Sequence, residues 1–267
     1  MLGDYFAAAV TAFSFMTVIF IVAQILKDNS IVDIAWGIGF VLIAIVTRVT
    51  GGENSPVSTV VMLLVTVWGI RLALHIAVRK RGKGEDFRYA KWRREWGRWF
   101  ILRSFFQVFM LQGVLMLIIA LSIIHVNAGS GYGLGLAGMA GIVVWTVGFF
   151  FEAGGDWQLY RFKQDPANQG RVMHRGLWRY TRHPNYFGES LVWWGIFLLA
   201  LGTPGGLVTV ISPVVLTFLL LRVSGVTMLE RALVERRPGY SEYVQRTSAF
   251  IPWIPKESPA DDQLSDS

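Results

Sequence analysis

Long apolar stretches separated by polar connections dominate the chain. Their lengths approach the roughly 20 residues that a helix needs to cross a hydrocarbon layer about 30 Å thick. Helices are the structure expected inside lipid, because a helix satisfies its own backbone hydrogen bonds. The pattern therefore predicts an all-α, polytopic membrane protein of about seven transmembrane helices, at 5–26, 31–50, 57–78, 102–125, 133–154, 187–203 and 206–228.

The basic residues lie almost entirely on one side of these predicted spans. When the seven spans are threaded in order, 22 of the 25 Lys and Arg residues fall on that side. By the positive-inside rule it is the cytoplasmic side, which places the N-terminus outside and the C-terminus in the cytoplasm. The two long connections, 79–101 and 155–186, are then both cytoplasmic.

The composition agrees with a lipid environment and excludes several kinds of chemistry. Hydrophobic residues make up 53% of the chain and charged residues only 16%, whereas about a quarter of a soluble domain is charged. The net charge of +7 follows from the basic connections, so no nucleic acid partner is needed to explain it. The absence of cysteine excludes disulfides, thiolate catalysis and cysteine-ligated metals. His174 and His183 lack ligand spacing and neighbouring carboxylates, so we predict no metal site.

Residues 1–255 are predicted to form one seven-helix transmembrane domain, and the acidic segment 256–267 to be a disordered tail. Gly133, Gly135 and Gly138 match the GxGxxG pattern of dinucleotide-binding folds. That pattern binds a dinucleotide only between a strand and a helix, and here it precedes an apolar helix. Small residues at 133, 137 and 141 instead fall four apart, so we interpret this segment as a helix-packing surface.

The segment from Asp156 to Glu189 carries the most informative polar groups. It contains six basic residues and two histidines, together with amides and aromatic rings. Arginines bind phosphates well, and amides and rings can bind the rest of a nucleotide, so this mixture favours a cofactor site. The alternative is a basic loop that only contacts anionic lipid. Glu189 lies one turn inside the next predicted span, where an ionisable side chain is expected to face a cavity.

The motif RHPNYFGE at 182–189, after GLWRYT and before Trp193 and Trp194, resembles the C-terminal signature of the steroid 5-alpha-reductase superfamily. Related forms occur in membrane sterol reductases and in isoprenylcysteine carboxyl methyltransferases. Three further segments resemble the bacterial branch known as DUF1295: IVDIAWGIGF (31–40), WGIRLALHIAVRKRGKGEDFRY (68–89) and LERALVERRPGYSEYVQRTSAFIPW (229–253).

The resemblance implies an NADPH-dependent reductase of the carbon–carbon double bond of an enone, such as a 3-oxo-Δ4-steroid. It would lie in a bacterial inner membrane with its cofactor site facing the cytoplasm. Its apolar substrate would enter from the lipid. Hydride would go to the β-carbon while Glu189 or Tyr186 polarises the ketone as the catalytic acid. The Gln–Glu pair that holds the ketone in the animal enzymes has no match here, which leaves the natural substrate open.

The resemblance also implies a set of cofactor-binding residues. The acid, basic and amide positions of the family fall on Asp156, Lys163, Arg171 and Asn185, with Lys163 replacing an arginine and Glu152 an asparagine of the animal enzymes. The full set that we predict to bind NADPH is Asp156, Tyr160, Lys163, Asn168, Arg171, Tyr180, Arg182, His183, Asn185 and Arg88.

Polar residues of the N-terminal half are candidates for substrate binding. The predicted set is Asp33, Trp36, Arg71 and His75, with Trp193 from the C-terminal half. Arg71 and His75 are four apart, which places them on one helix face. The alternative is structural, with Asp33 paired to Arg71 or Lys27. Segment 79–91 is a second candidate for phosphate contact, or else a solvated charged face.

Two other functions remain open at this point. An S-adenosylmethionine-dependent methyltransferase could use the same RHPNY segment, although the loop 79–101 and the IVDIAWG segment favour the reductase. A transporter is disfavoured because the polar residues gather on one side and not at the bilayer midplane.

Overall fold

The computed structural model describes residues 2–51, 55–129, 133–223, 226, 230 and 239–256, so nearly all of the predicted tail lies outside the described residues. Every regular element within these ranges is helical. The α-helices are α1 (Leu2–Leu26), α2 (Ile31–Thr50), α3 (Pro56–Lys80), α4 (Phe87–Trp96), α5 (Phe100–Ser104), α6 (Leu111–Ile119), α7 (Leu121–Ala128), α8 (Leu136–Gln164), α9 (Pro184–Leu201), α10 (Ile211–Phe218) and α11 (Tyr240–Arg246).

Short helical turns of other types extend these helices. A π-helical turn, Phe105–Met110, joins α5 to α6, so that Phe87–Ile119 forms one helical stretch of 33 residues. A second π-helical turn, Leu219–Val223, continues α10. The 3-10 turns are Gly97–Trp99, Pro166–Asn168, Gly176–Arg179 and Gly206–Val210.

Six segments of the described chain are long and apolar enough to cross a bilayer, which identifies a multi-pass membrane protein. They are Leu2–Leu26, Ile31–Thr50, Pro56–Lys80, Phe87–Ile119, Leu136–Gln164 and Gly206–Val223. The sixth span predicted from sequence, 187–203, corresponds to α9, which is 18 residues long. Asn185, Tyr186 and Glu189 in its first turns make α9 more polar than the six. Seven spans and the orientation of the termini stay predictions.

The C-terminal end of helix α8 lies further along the chain than the sequence predicts. The apolar pattern predicts a span at 133–154 followed by a loop, but α8 continues to Gln164. It ends just before Asp165–Pro166, since a residue that precedes proline disfavours helical geometry. The Asp165 side chain accepts a hydrogen bond from the backbone N–H of Ala167 at 2.9 Å and starts the next turn. Asp156, Tyr160 and Lys163 therefore lie on a helix and not in a loop.

The predicted loop 79–101 is also largely helical, since it contains α4. The carboxylate of Asp86 caps α4 by accepting from the backbone N–H of Arg88 at 3.0 Å. Three of the ten residues of α4 are arginine and two are tryptophan. The length of apolar stretches alone cannot distinguish this short polar helix from a loop.

The chain divides into two compact units. The first comprises the described residues of Met1–Ile142 and Ile196–Pro213, and the second those of Val143–Gly195 and Val214–Ser267. In the first unit, fully buried Phe40 and Trp68 meet edge to face, with ring centroids 5.6 Å apart. In the second unit, Val192 and Trp193 of α9 are fully buried.

Each unit contains a pair of helices whose backbones touch at glycines. In the first, a β-carbon added at Gly37 of α2 would lie 2.4 Å from the carbonyl oxygen of Gly69 in α3. In the second, a β-carbon at Gly188 of α9 would lie 2.3 Å from the backbone nitrogen of Glu152, and one at Gly148 of α8 would lie 2.7 Å from the Gly188 oxygen. Small residues at such crossings let membrane helices approach closely.

At Ala137 and Gly138 the structure supports the packing interpretation, whereas a β-carbon at Gly133 or Gly135 would have no atom within 4 Å. Helix α8 begins at Leu136, and a β-carbon at Gly138 would contact Leu199 of α9 at 3.5 Å. Ala137 lies 3.7 Å from the equivalent position on Gly202. These glycines precede and begin a packed helix.

Candidate functional site

A polar stripe runs along one face of α8 in the second unit. Glu152, Asp156, Tyr160 and Lys163 are spaced by four, four and three residues, so they fall on one side of the helix. Glu152 is 2% exposed and Asp156 is 8% exposed. Tyr160 is half-buried and Lys163 is exposed. The stripe therefore leads from two buried carboxyl groups to a solvent-exposed ammonium.

The first turns of α9 lie against the buried end of this stripe. The amide nitrogen Nδ2 of Asn185 donates to Oδ1 of Asp156 at 3.1 Å. The amide oxygen Oδ1 of Asn185 is buried and accepts no hydrogen bond from the described residues. Gly155 makes this approach possible, since a β-carbon at that position would lie only 3.1 Å from the backbone nitrogen of Asn185. We call Glu152, Asp156, Asn185 and Glu189 the α8–α9 polar crossing.

Glu189 lies one turn after Asn185 on α9 and is half-buried. The next residue, Ser190, is buried and shares a hydrogen bond of 2.8 Å with Thr217 of α10. Trp193 follows one turn later and has no exposed surface. The polar groups of α9 are thus confined to its N-terminal half, and an apolar wall begins directly above them.

Arg182 and His183 of the signature bind the C-terminal segment. Arg182 forms a two-pronged ion pair with Glu230, with Nε–Oε1 at 2.7 Å and Nη2–Oε2 at 3.1 Å. Its Nη1 donates to the carbonyls of Val244, at 2.9 Å, and of Thr247. The His183 Nε2 atom lies 3.1 Å from Oε1 of Glu230. We call this set the Arg182–Glu230 clamp.

The clamp determines the charge of its acid. Burial raises the pKa of Glu230, but hydrogen bonds from His183 and Arg182 outweigh burial and bring it down to about 2. Burial, and then the negative charge of Glu230, raise the pKa of Tyr240 to about 12. Glu230 is therefore ionised and Tyr240 protonated throughout the physiological range.

The clamp also orients Tyr186. The His183 ring stacks on the Tyr186 ring with centroids 5.5 Å apart and an interplanar angle of 7°. Arg182 and His183 are 7% and 4% exposed. In the structure these two residues hold the C-terminal segment against the start of α9. Their direct contact with a cofactor stays a prediction.

The connection between α8 and α9 is pinned from both sides. The indole nitrogen of Trp178 donates to the Gly155 carbonyl at 3.0 Å, and the Gln158 side chain accepts from the backbone N–H of Leu177 at 3.0 Å. On the other side, the Thr181 hydroxyl donates to the Phe250 carbonyl at 2.8 Å. The Tyr243 hydroxyl donates to the Trp178 carbonyl.

The remaining predicted cofactor residues of this unit lie in or beside that connection. Asn168 stabilises its own turn, since Nδ2 donates to the Phe162 carbonyl at 3.1 Å and to Asp165 at 3.3 Å. Arg171 is exposed, and Tyr180 is 44% exposed. Cofactor binding by these residues stays a prediction.

In the first unit, Asp33 has other partners than those expected from sequence. Its carboxylate accepts from Nη2 of Arg88 and from the Tyr89 hydroxyl, both at 3.0 Å. This corrects the alternative in which Asp33 pairs with Arg71 or Lys27. Arg88, predicted to bind the cofactor, also contacts Asp86 through Nε at 3.0 Å. Its guanidinium is thus shared by two carboxylates.

Segment 79–91 is tied to the turn between α1 and α2. Lys80 contacts Asp28 and Ser30. Glu85 accepts from the backbone N–H of Asn29 at 2.9 Å and holds Arg93 through two bonds, at 3.0 and 2.8 Å. This ion-pair network gives the segment a structural role, so it is more than the solvated charged face that was the alternative, and its contact with phosphate stays a prediction.

The other predicted substrate residues of the first unit lie on α2 and α3. Trp36 meets Phe40 edge to face with centroids 5.2 Å apart. Arg71 and His75 are both half-buried on α3. Substrate binding by Asp33, Trp36, Arg71 and His75 stays a prediction.

Comparison with known proteins places the chain. The sequence model described as "Protein of unknown function (DUF1295)" matches residues 19–247, which is most of the chain. The chain belongs to the DUF1295 family. The DUF1295 assignment made from the companion segments is thereby confirmed.

The match to the DUF1295 family extends over all of the α8–α9 polar crossing and over Glu230 of the clamp. The chain is also similar to an uncharacterized protein of Schizosaccharomyces pombe, with 24% identity over 216 residues. That alignment covers 72% of this chain and 62% of the yeast protein, so the chain spans less than two thirds of that relative. No solved structure shows a significant match.

Sequence reasoning missed several residues that organise this DUF1295 site. The sequence analysis named Glu152 only because it replaces an asparagine of the animal enzymes. Its position one helical turn from Asp156 could have indicated that both carboxyl groups lie on the same helix face. Gly148 and Gly188 were recognisable only as small residues, because close approach needs a partner helix. The Arg182–Glu230 contact joins residues 48 apart, and no local pattern indicates such a pair.

Proposed function

We propose that this DUF1295 protein is a membrane-embedded, NADPH-dependent reductase of the carbon–carbon double bond of an enone in an apolar substrate, such as a 3-oxo-Δ4-steroid. The observation that carries the proposal is the hydrogen bond between buried Asp156 and half-buried Asn185 near the inner end of the α8 stripe. Intramembrane polar groups are costly and are commonly functional. Here they continue without interruption to an exposed lysine.

The residues of the stripe fit a dinucleotide. The buried Oδ1 atom of Asn185 can accept a hydrogen bond from a ribose hydroxyl or a carboxamide. Asp156 can accept from a second hydroxyl. The exposed Lys163 and Arg171 suit the phosphates, including the extra phosphate that distinguishes NADPH from NADH. Tyr160 and Tyr180 offer ring faces.

The proposed chemistry assigns a task to each group of α9. NADPH, when bound, would supply the hydride that reduces the double bond. Glu189 or Tyr186 would donate a hydrogen bond to the ketone oxygen and stabilise the negative charge that develops there. A positioned acid would deliver the proton to the α-carbon. Trp193 and the apolar part of α9 would exclude water from the reacting end.

Arg182 and His183 take a positioning role in this proposal. The clamp fixes the residues that precede α9, and the stacked His183 ring holds the orientation of Tyr186. We propose an inner-membrane location in which the exposed end of the stripe, at Lys163, faces the cytoplasm. The excess of Lys and Arg in the adjoining connection supports that orientation.

The direct test is an enone reduction assay on purified full-length protein in detergent. With NADPH and a 3-oxo-Δ4-steroid, we expect a product heavier by two hydrogens, formed in step with NADPH consumption. Asn185→Ala is expected to weaken NADPH binding by about 1–3 kcal/mol, the usual cost of leaving a buried polar partner unpaired. Gln245→Ala, which removes an exposed amide of α11, is the matched control and is expected to behave as wild type.

The proposal would be contradicted if a panel of enones stayed unreduced while the protein transferred a methyl group from S-adenosylmethionine. Equal losses in Asn185→Ala and Gln245→Ala would contradict the assignment of the site. The panel should include enones without a steroid skeleton, since the natural substrate is open.

A further inference from the structure

A groove at one end of the first unit combines an apolar floor with a basic rim. It lies between the first turn of α2 and the last turn of α3 and has a volume of about 320 Å³. Ile34, Ala77, Val78, Lys80 and Arg81 line this shallow groove almost entirely with apolar atoms; we call the first three residues its floor and the two basic residues its rim. Val78 is 54% exposed, and Leu74, one turn earlier on α3, is 61% exposed. Both helices are membrane spans, so this exposed apolar surface faces lipid.

The charges around the groove do not cancel. The nearby acids have cationic partners: Asp28 contacts Lys80, Asp33 and Asp86 contact Arg88, and Glu85 contacts Arg93. Arg79, Arg81 and Lys83 are exposed, and none of the three has a carboxylate within ion-pair distance in the part of the chain that the structure describes. A surplus of positive charge therefore borders the groove.

The neighbouring helix α4 marks the depth of the groove in the bilayer. Trp92 and Trp96 stack with centroids 5.3 Å apart, and the Arg93 guanidinium lies 4.1 Å from the centre of the Phe100 ring. Tryptophan is enriched at the level of lipid headgroups, where its ring is partly in lipid and partly in water. A groove at the ends of α2 and α3, beside such a helix, is therefore at headgroup level.

We propose that this groove binds the headgroup of one anionic phospholipid, a role independent of the reductase chemistry. Arg81 contacts the phosphate, and Arg79 and Lys83 add long-range attraction. Ile34, Ala77 and Val78 contact the glycerol and the first methylene groups. A free phosphate ion could use the rim but not the apolar floor, so the groove selects a lipid. Basic pockets between membrane helices on the cytoplasmic side are suited to such headgroups.

The test measures lipid binding to the intact protein. Purified full-length protein in detergent is titrated with phosphatidylglycerol or phosphatidylcholine, and native mass spectrometry gives the affinity of the first bound lipid. We expect phosphatidylglycerol to bind more tightly. Arg81→Ala is expected to weaken its binding roughly five-fold, the scale for one basic residue near a lipid surface, and to leave phosphatidylcholine unchanged. Arg94→Ala, which removes an exposed arginine that does not line the groove, is the matched control and is expected to leave the binding of both lipids unchanged.

A second variant tests the floor without altering charge. Ala77→Leu fills part of the groove and is expected to weaken the binding of the first phosphatidylglycerol molecule several-fold. This variant also keeps the proposal testable if Arg81→Ala does not fold. The proposal is overturned if Arg81→Ala and Arg94→Ala lower phosphatidylglycerol binding equally, because the attraction would then be diffuse. It is equally overturned if Ala77→Leu has no effect, or if inorganic phosphate binds the wild type as tightly as the lipid does.

Discussion

The two units use the same packing device for different surroundings. At the α2–α3 crossing of the first unit, Gly37 and Gly69 touch beside Val41 and near the Phe40–Trp68 ring pair. At the α8–α9 crossing of the second unit, Gly148 and Gly188 touch beside the backbone of Glu152, and the Asp156–Asn185 pair follows one turn away. At its glycine contact the first crossing is bordered by apolar Val41, whereas the second has Glu152 at the contact and the Asp156–Asn185 pair next to it.

This difference separates scaffold from candidate site. Close glycine contacts serve helix packing in membranes, and the apolar crossing needs no further explanation. Carboxyl groups bring no packing advantage there, since burying them in lipid or protein costs free energy. At the first crossing the carboxyl group one turn from Gly37, that of Asp33, is held by Arg88 and Tyr89, whereas at the second Glu152 stands at the glycine contact itself, which is what directs attention to α8 and α9.

The largest effect on activity is expected from replacing Glu189, the acid of the α8–α9 polar crossing that is a candidate for polarising the ketone. Glu189→Gln should lower turnover of an enone by about 100-fold or more, the scale for losing a positioned acid or oxyanion donor. Fold and most of the NADPH affinity should persist, because the amide is nearly isosteric with the carboxyl group. Steady-state kinetics and cofactor titration separate the two effects. Glu242→Gln, in an exposed acid of α11, is the control. Wild-type turnover in Glu189→Gln would shift the polarising role to Tyr186.

Alanine at the glycine contacts sharpens the comparison between the crossings. Gly37→Ala and Gly188→Ala should each destabilise the fold by roughly 1–3 kcal/mol, because the new β-carbon meets backbone atoms that cannot yield. Thermal unfolding in detergent measures this loss. Gly84→Ala is the control, since no atom lies within 4 Å of its β-carbon position.

The two variants should differ in their ligand binding. After correction for the folded fraction, Gly188→Ala should still bind NADPH more weakly, since it displaces α9 from Glu152 and Asp156. Gly37→Ala should bind as wild type does. Equal binding by both corrected variants would remove the distinction between the crossings.

A smaller effect is expected from pH at the Arg182–Glu230 clamp. The pKa of Glu230 is lowered from its ordinary 4.5 to about 2, so its contribution to stability is complete above pH 4.5 and is lost as pH falls toward 2. Melting temperatures across this window should fall more steeply for the wild type than for Glu230→Gln. Parallel curves would show that the clamp adds no pH-dependent stability.

The sequence predicted the helices well where apolar length decided them. Helix α2 spans Ile31–Thr50, which is the predicted range 31–50. The prediction of helix ends failed where a helix continues beyond the apolar region, because the polar residues after Asp156 on α8 looked like a loop. A helix can continue into water when its polar face is solvated, and hydropathy does not report that.

Residues of the candidate site could be named from the sequence, but their contacts could not. Glu189 stood out by its position inside an apolar span, and the resemblance supplied Asp156 and Asn185. The partners of Asp33 and Arg182 were not predictable, because Arg88 and Glu230 are 55 and 48 residues away and pair through the tertiary fold. Patterns within one helix carry no information on such pairs.

Cofactor binding by the wild-type protein tests the central claim most directly. Purified protein is titrated with NADPH, NADH and S-adenosylmethionine under identical conditions, and binding is followed by calorimetry. The account predicts that NADPH binds tightly, that NADH binds much more weakly because it lacks the phosphate that Lys163 and Arg171 would contact, and that S-adenosylmethionine does not compete. Equal affinity for NADPH and NADH, or preferential binding of S-adenosylmethionine, would contradict it.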